Sequence, residues 1–143
     1  MGGAFSLVGK GAESMFYNPS GLAEIGSNLE FVGSQTSWIA DIGYLAAGLA
    51  RDFGTLGVIG VSVIAVDYGE VVGSKVANNA DGYELTDIGS SGGLAAGVTY
   101  ARAVTDRFRI GGQVKLASQQ LGSSTLNDGT TINNQVSGIA FDF

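Results

Sequence analysis

The sequence predicts an all-β protein: an antiparallel transmembrane β-barrel, with about six strands in this chain and a helical and turn segment ahead of them. Three observations carry that prediction. Charged residues make up 14% of the chain, against about 25% in soluble domains. Apolar residues reach 45%, yet no run approaches the roughly 18 consecutive apolar residues of a membrane helix. From about residue 28 the hydropathy alternates with a period of two, the period of a strand with one apolar and one polar side. A soluble β-sandwich or solenoid, which also alternates and turns on glycine, is the competing architecture.

Residues 1–27 form a segment of their own, ahead of strands over 28–143. "GAESMFY" has helical composition and ends before the chain's single proline, because a residue preceding proline avoids the α region. Asn18-Pro19-Ser20-Gly21 suits a type I turn at each position. Residues 28–36 read as a first strand. In 43–51, Leu45, Ala47 and Leu49 oppose Tyr44, Ala46 and Gly48. Residues 54–66 are apolar on both faces, so the pattern leaves their lipid side open. In 92–103, Leu94, Ala96, Val98 and Tyr100 share a face. In 107–118 the alternation is clearest: Phe108, Ile110, Val114 and Leu116 on one side, Arg107, Arg109, Gln113 and Lys115 on the other. Ile139, Phe141 and Phe143 oppose Gly138, Ala140 and Asp142 in the last strand.

The connections fall into two classes. "RDFGT" and "VTDRF" are tight. "SWIAD" at 37–41, the stretch from Asp67 to Ser91 and "QQLGSSTLNDGTTIN" at 119–133 read as longer polar loops. Short turns at one end and long loops at the other is the pattern of an outer-membrane barrel, and Trp38 and Tyr68 are expected near strand ends as interfacial aromatics. Lipid-facing residues are then Leu45, Leu49, Leu94, Val98, Tyr100, Phe108, Ile110, Val114, Leu116, Ile139, Phe141 and Phe143. Arg107, Arg109, Gln113, Lys115 and Asp142 face a polar lumen. There the cations are expected to pair with Glu13, Glu24 or Asp142, since buried charge is costly unless paired.

Six strands are fewer than the roughly eight of the smallest single-chain barrels, and open edges do not survive in lipid. The strands therefore belong to a longer barrel or to one closed by several protomers, unless 67–91 hides two more; "YGEVVGSKVAN" there could supply part of a hairpin but reads better as an exposed loop or a strand extension. Ser137-Gly138-Ile139-Ala140-Phe141-Asp142-Phe143 is similar to the C-terminal assembly signal of bacterial barrels, but the strand count favours an internal strand.

Other chemistries are thinly supported. The chain has no Cys and no His, and its net charge is −6 without a basic cluster. That removes thiol and imidazole chemistry and argues against nucleic acid. "VGKGAES" lacks the spacing of a phosphate loop. "MGGAFS" fits a myristoylation pattern for which a bacterial barrel has no use. "NNADGYE" and "LNDGTT" lack the spaced carboxylates of a calcium loop and read as solvated turns. Ser6 and Ser20 have no base near them in sequence, and Asp81, Glu84 and Asp87 read as a solvated acidic face. No enzyme, metal or cofactor is expected.

Gly3-Ala4-Phe5 followed by Tyr17-Asn18-Pro19-Ser20-Gly21-Leu22-Ala23 resembles the opening of the PorV/PorQ family of outer-membrane proteins, within the FadL-like barrels. The resemblance implies a longer barrel in the bacterial outer membrane whose N-terminal segment sits inside as a plug. Phe16, Tyr17, Asn18, Pro19, Ser20, Gly21 and Leu22 would form that plug, with Phe16, Tyr17 and Leu22 packed against inward-facing strand residues. It implies a role in type IX secretion, with translocon subunits and exported proteins as partners. FadL-like transport of hydrophobic ligands is the alternative, and a structural protomer of a multi-chain assembly is the third.

Overall fold

A computed structural model of the chain describes residues 9–76, 78–125 and 130–143. Six strands follow a pair of short 3₁₀ helices, Ala12–Phe16 and Pro19–Glu24. The strands are β1 (Leu29–Ser37), β2 (Gly43–Asp52), β3 (Val58–Val76), β4 (Tyr83–Ala103), β5 (Arg109–Thr125) and β6 (Thr131–Asp142). They form one antiparallel sheet in sequence order, with β1 and β6 at its two edges. The sheet is not closed. Gly3-Ala4-Phe5 and Ser6 lie outside the described residues, as does most of "LNDGTT".

The register carries the organisation of the molecule. Phe31 pairs with Leu49, Leu49 with Val61, Val61 with Val98, Val98 with Val114 and Val114 with Phe141. Directly opposed residues share a face, so these six apolar side chains form one row across the sheet, and each is exposed. The next residue along runs Glu30, Ala50, Gly60, Thr99, Gln113 and Asp142, a row of small and polar residues on the opposite face. A one-residue slip at any pairing would move a whole strand's apolar set to the wrong side. None occurs up to the level of Asp67, Gly92 and Gln120, where the first bulges appear.

This register settles the strand that the pattern left open. Ile59, Val61 and Val63 join the apolar face, while Val58, Gly60 and Ser62 join the small and polar one. Of the twelve residues expected on the apolar side, ten share that face within the strands: Leu45, Leu49, Leu94, Val98, Tyr100, Ile110, Val114, Leu116, Ile139 and Phe141. Phe108 and Phe143 flank strands instead of belonging to them, and both are exposed.

Three expectations are corrected. The loops are shorter than expected: 67–91 takes the strand-extension reading, with β3 running to Val76 and β4 starting at Tyr83, and much of 119–133 likewise extends β5 and β6. Alternation is weaker there, and turn-forming residues masked the strand periodicity. Tyr68 consequently sits within β3, not at its end. Arg107 lies in the turn before β5, where its amide donates to Thr105 Oγ1, so it does not share the polar face of Arg109 and Lys115.

The N-terminal segment lies across the small and polar face. Met15 and Leu22 are buried with Ala12 against Ala50, Val58 and Ala101. Glycine makes the approach feasible: a Cβ on Gly48 would stand 2.6 Å from Met15 Cε, and one on Gly111 would stand 2.6 Å from the backbone of Pro19 and Ser20. Gly60 is likewise covered by Met15 and Leu22. Met15, which the sequence pattern did not single out, is the buried anchor, whereas Tyr17 is 62% exposed. Met15→Ala should lower stability by about 2–4 kcal/mol through lost burial and a cavity. Gly111→Val should undock the segment, because backbone cannot yield as a flexible side chain does. Thermal unfolding checks the first and tryptic cleavage at Lys10 the second; an unchanged melting temperature for Met15→Ala would contradict this packing.

Candidate functional site

The site with the most built-in chemistry is the seam between the N-terminal segment and the sheet. The segment is first fixed locally. Asn18 caps the second 3₁₀ helix, its Oδ1 accepting from the Ser20 amide at 3.2 Å and the Ser20 hydroxyl at 2.7 Å. The Gly21 amide donates to Asn18 O at 3.0 Å, the i to i+3 bond expected of the Asn-Pro-Ser-Gly turn. The Gly11 amide donates to Gly21 O at 3.3 Å, tying the two helices together. Pro19 is buried at the first helical position, where its missing N–H costs nothing.

The segment then reaches strands across the sheet. On the β1 side, Glu30 Oε1 accepts from the Ala12 amide at 3.1 Å. On the β5 side, Arg109 forms an ion pair with Glu24, and Glu24 also meets Lys10 at 2.7 Å. Toward the other edge, Lys115 pairs with Asp142 of β6. Two of the expected lumen cations are therefore matched, Arg109 to the segment and Lys115 within the sheet. Phe16 and Tyr17 lie on this same side, with Met15 and Pro19, beside Lys115 and Asp142 in an open cleft of about 430 Å³ at the β6 edge.

Beneath the segment, Gln113 is 3% exposed and Thr99, directly opposite it, is fully buried. Gln113 Nε2 donates to Ser62 Oγ at 3.0 Å. Gln113 Oε1 and Thr99 Oγ1 have no hydrogen-bond partner among the described residues, which marks the seam as a polar layer in a region otherwise packed by Met15 and Leu22. Beyond the segment the same face becomes apolar and small, with Ile64, Val66, Ala95, Ala117 and Val136. Among the described residues no group of three or more His, Cys, Asp or Glu is arranged to hold a metal ion, and no helix is long and apolar enough to cross a membrane.

No family model, curated protein or solved structure matches the chain.

The hydrogen bond from Lys10, aided by the charge of Arg109, holds the Glu24 carboxyl below its usual range, while desolvation opposes the shift. A carboxyl that binds its proton less readily when folded stabilises the fold above its unfolded pKa of about 4.3. That contribution disappears as pH falls through the lower folded value. Acidification through that lower value should therefore reduce the protection factor of the Gly11 amide, which bonds Gly21 O, and Glu24→Gln should bring that reduced protection to neutral pH. Equal exchange in both proteins at pH 7 would remove Glu24 from the latch.

Proposed function

We propose that this chain forms part of the wall and the N-terminal plug of an outer-membrane β-barrel, non-enzymatic and of PorV/PorQ type, acting in type IX protein secretion. The observation that carries the membrane part is the continuous apolar face. Counted from Phe108, which flanks β5, to Leu116 within it, the face spans eight residue steps, or about 27 Å at ~3.4 Å per residue. A strand tilt of about 40° makes that roughly 21 Å of height, close to the ~25 Å apolar band of such barrels. Six exposed apolar residues in a single row have no favourable place in water. In lipid they meet a matching solvent, and β1 and β6 need further strands to satisfy their open edges.

The secretion role rests on the resemblance of Tyr17-Asn18-Pro19-Ser20-Gly21-Leu22-Ala23 and on that segment lying against the face opposite the apolar one. Its partners would be outer-membrane lipid, translocon subunits and exported proteins. The apolar stretch of the plug-side face at Ile64, Val66 and Val136 favours a second reading, passage of hydrophobic ligands as in FadL-like barrels.

Reconstitution with brominated lipid tests the membrane reading. In a Trp38→Phe background, a tryptophan at Val98 should be quenched, and one at the exposed Val136 on the opposite face should not. Val98→Lys, at mid-band, should cost about 2–4 kcal/mol of stability in bilayers. Equal quenching at both positions, or monomeric protein soluble without detergent, would overturn it. Co-purification of translocon subunits then separates the secretion role from ligand uptake, which instead predicts binding of a long-chain fatty acid.

A further inference from the structure

The sheet splits at one end. The last pair between β4 and β5 is Gly92 with Gln120, yet β4 continues for nine residues to Tyr83 and β5 for five to Thr125. Irregularities mark the split on both sides. In β3 the register shifts between Asp67 and Val72, and in β5 and β6 it shifts between Gln120 and Ser123. A left-handed glycine sits at each shift, Gly69 with φ 75° and Gly122 with φ 85°. Such bulges bend the strand and increase its twist. Tyr68 and Gln119 join the two sides just below, through a hydrogen bond of 3.5 Å from Gln119 Nε2 to the Tyr68 hydroxyl.

Above this level the β3–β4 hairpin is two-stranded, because pairing between β2 and β3 ends at Gly43 with Asp67. A two-stranded ribbon is marginally stable alone. Its β4 edge, residues 83–91, and the β5 edge, residues 121–125, border the split without pairing to each other. Unpaired strand edges are templates for an added strand.

We infer that the split between the β3–β4 and β5–β6 hairpins accepts an extended, basic polypeptide segment as an intervening strand. A strand inserted there gains main-chain hydrogen bonds on both sides, which neither outer edge of the sheet offers. Charge selects the occupant. Residues 67–91 contain Asp67, Glu70, Asp81, Glu84 and Asp87 against Lys75, a net of 1 − 5 = −4 in a chain of −6. A second copy of this hairpin would be repelled, whereas a Lys- or Arg-bearing segment is attracted. Exposed Tyr83 and Leu85 on the β4 border add apolar contact for the alternate residues of such a strand. The inference is independent of the membrane reading, since the split and its charge do not depend on what the apolar face meets.

The test is hydrogen exchange of the whole chain, in detergent micelles, with a twelve-residue peptide alternating Lys with Val and Thr. Binding should slow exchange at least tenfold within 83–91 and within 121–125, and leave the 92–103 amides unchanged. Raising salt from 0.1 to 0.5 M should weaken affinity at least fivefold, because exposed charges are screened. The peptide with Gln in place of Lys should bind at least tenfold more weakly. The inference fails if both edges are already protected in the free protein, if the peptide does not bind, if it protects only one edge, or if the neutral peptide binds equally well.

Discussion

The unbroken pairing register across the lower part of the sheet is the constraint on which everything else depends. Side chains alternate with a period of two, so a single phase error would place Val61 or Val98 under the N-terminal segment and Gly60 or Thr99 on the outside. Five successive pairings without a slip place Phe31 to Phe141 in one row and Glu30 to Asp142 in the other. One face is thereby large and apolar, and the other small enough for a second layer of backbone to lie on it.

The second layer follows from that smallness. Gly48, Gly60 and Gly111 let Met15, Leu22 and the Pro19–Ser20 backbone descend onto the sheet. Burial of Met15 and Leu22 supplies the attraction, and Glu24 supplies direction, since its carboxylate answers both Lys10 and Arg109. The buried Thr99 and Gln113 oxygens, without partners among the described residues, are the exception in this layer. Unsatisfied buried polar atoms are rare because each carries a desolvation cost, so this seam is held by its apolar anchors and ion pairs.

At the other end the same rules are relaxed. Beyond Asp67, Gly92 and Gln120 the continuous apolar rows give way to scattered apolar residues such as Val76, Tyr83 and Leu85, bulges enter, and the sheet divides into hairpins whose facing borders do not pair with each other. Regular pairing therefore coincides with the apolar face, and irregular pairing with the acidic stretch, where water can satisfy the open backbone groups.

Local periodicity and composition determined much of this protein. The alternation in 43–51, 92–103 and 107–118 specified strands and the sides of their residues, Arg107 and Phe108 excepted, because a pleated strand has only two faces. The Asn18–Gly21 turn was legible because proline and a capping asparagine restrict the backbone by themselves, and the pairing of Arg109 with an acidic residue followed from the cost of burying charge. Tertiary structure decided the rest. The side of Val58–Val66 came only from its neighbours, since an apolar residue at every position leaves no phase to read. Met15 emerged as the anchor, ahead of Phe16 and Tyr17, because the pocket over Gly48 and Gly60 is set by three strands distant in sequence. The length of β3 and β4, and the split beside them, depended on which backbone groups found partners, a property of pairs of strands that no single stretch of sequence contains.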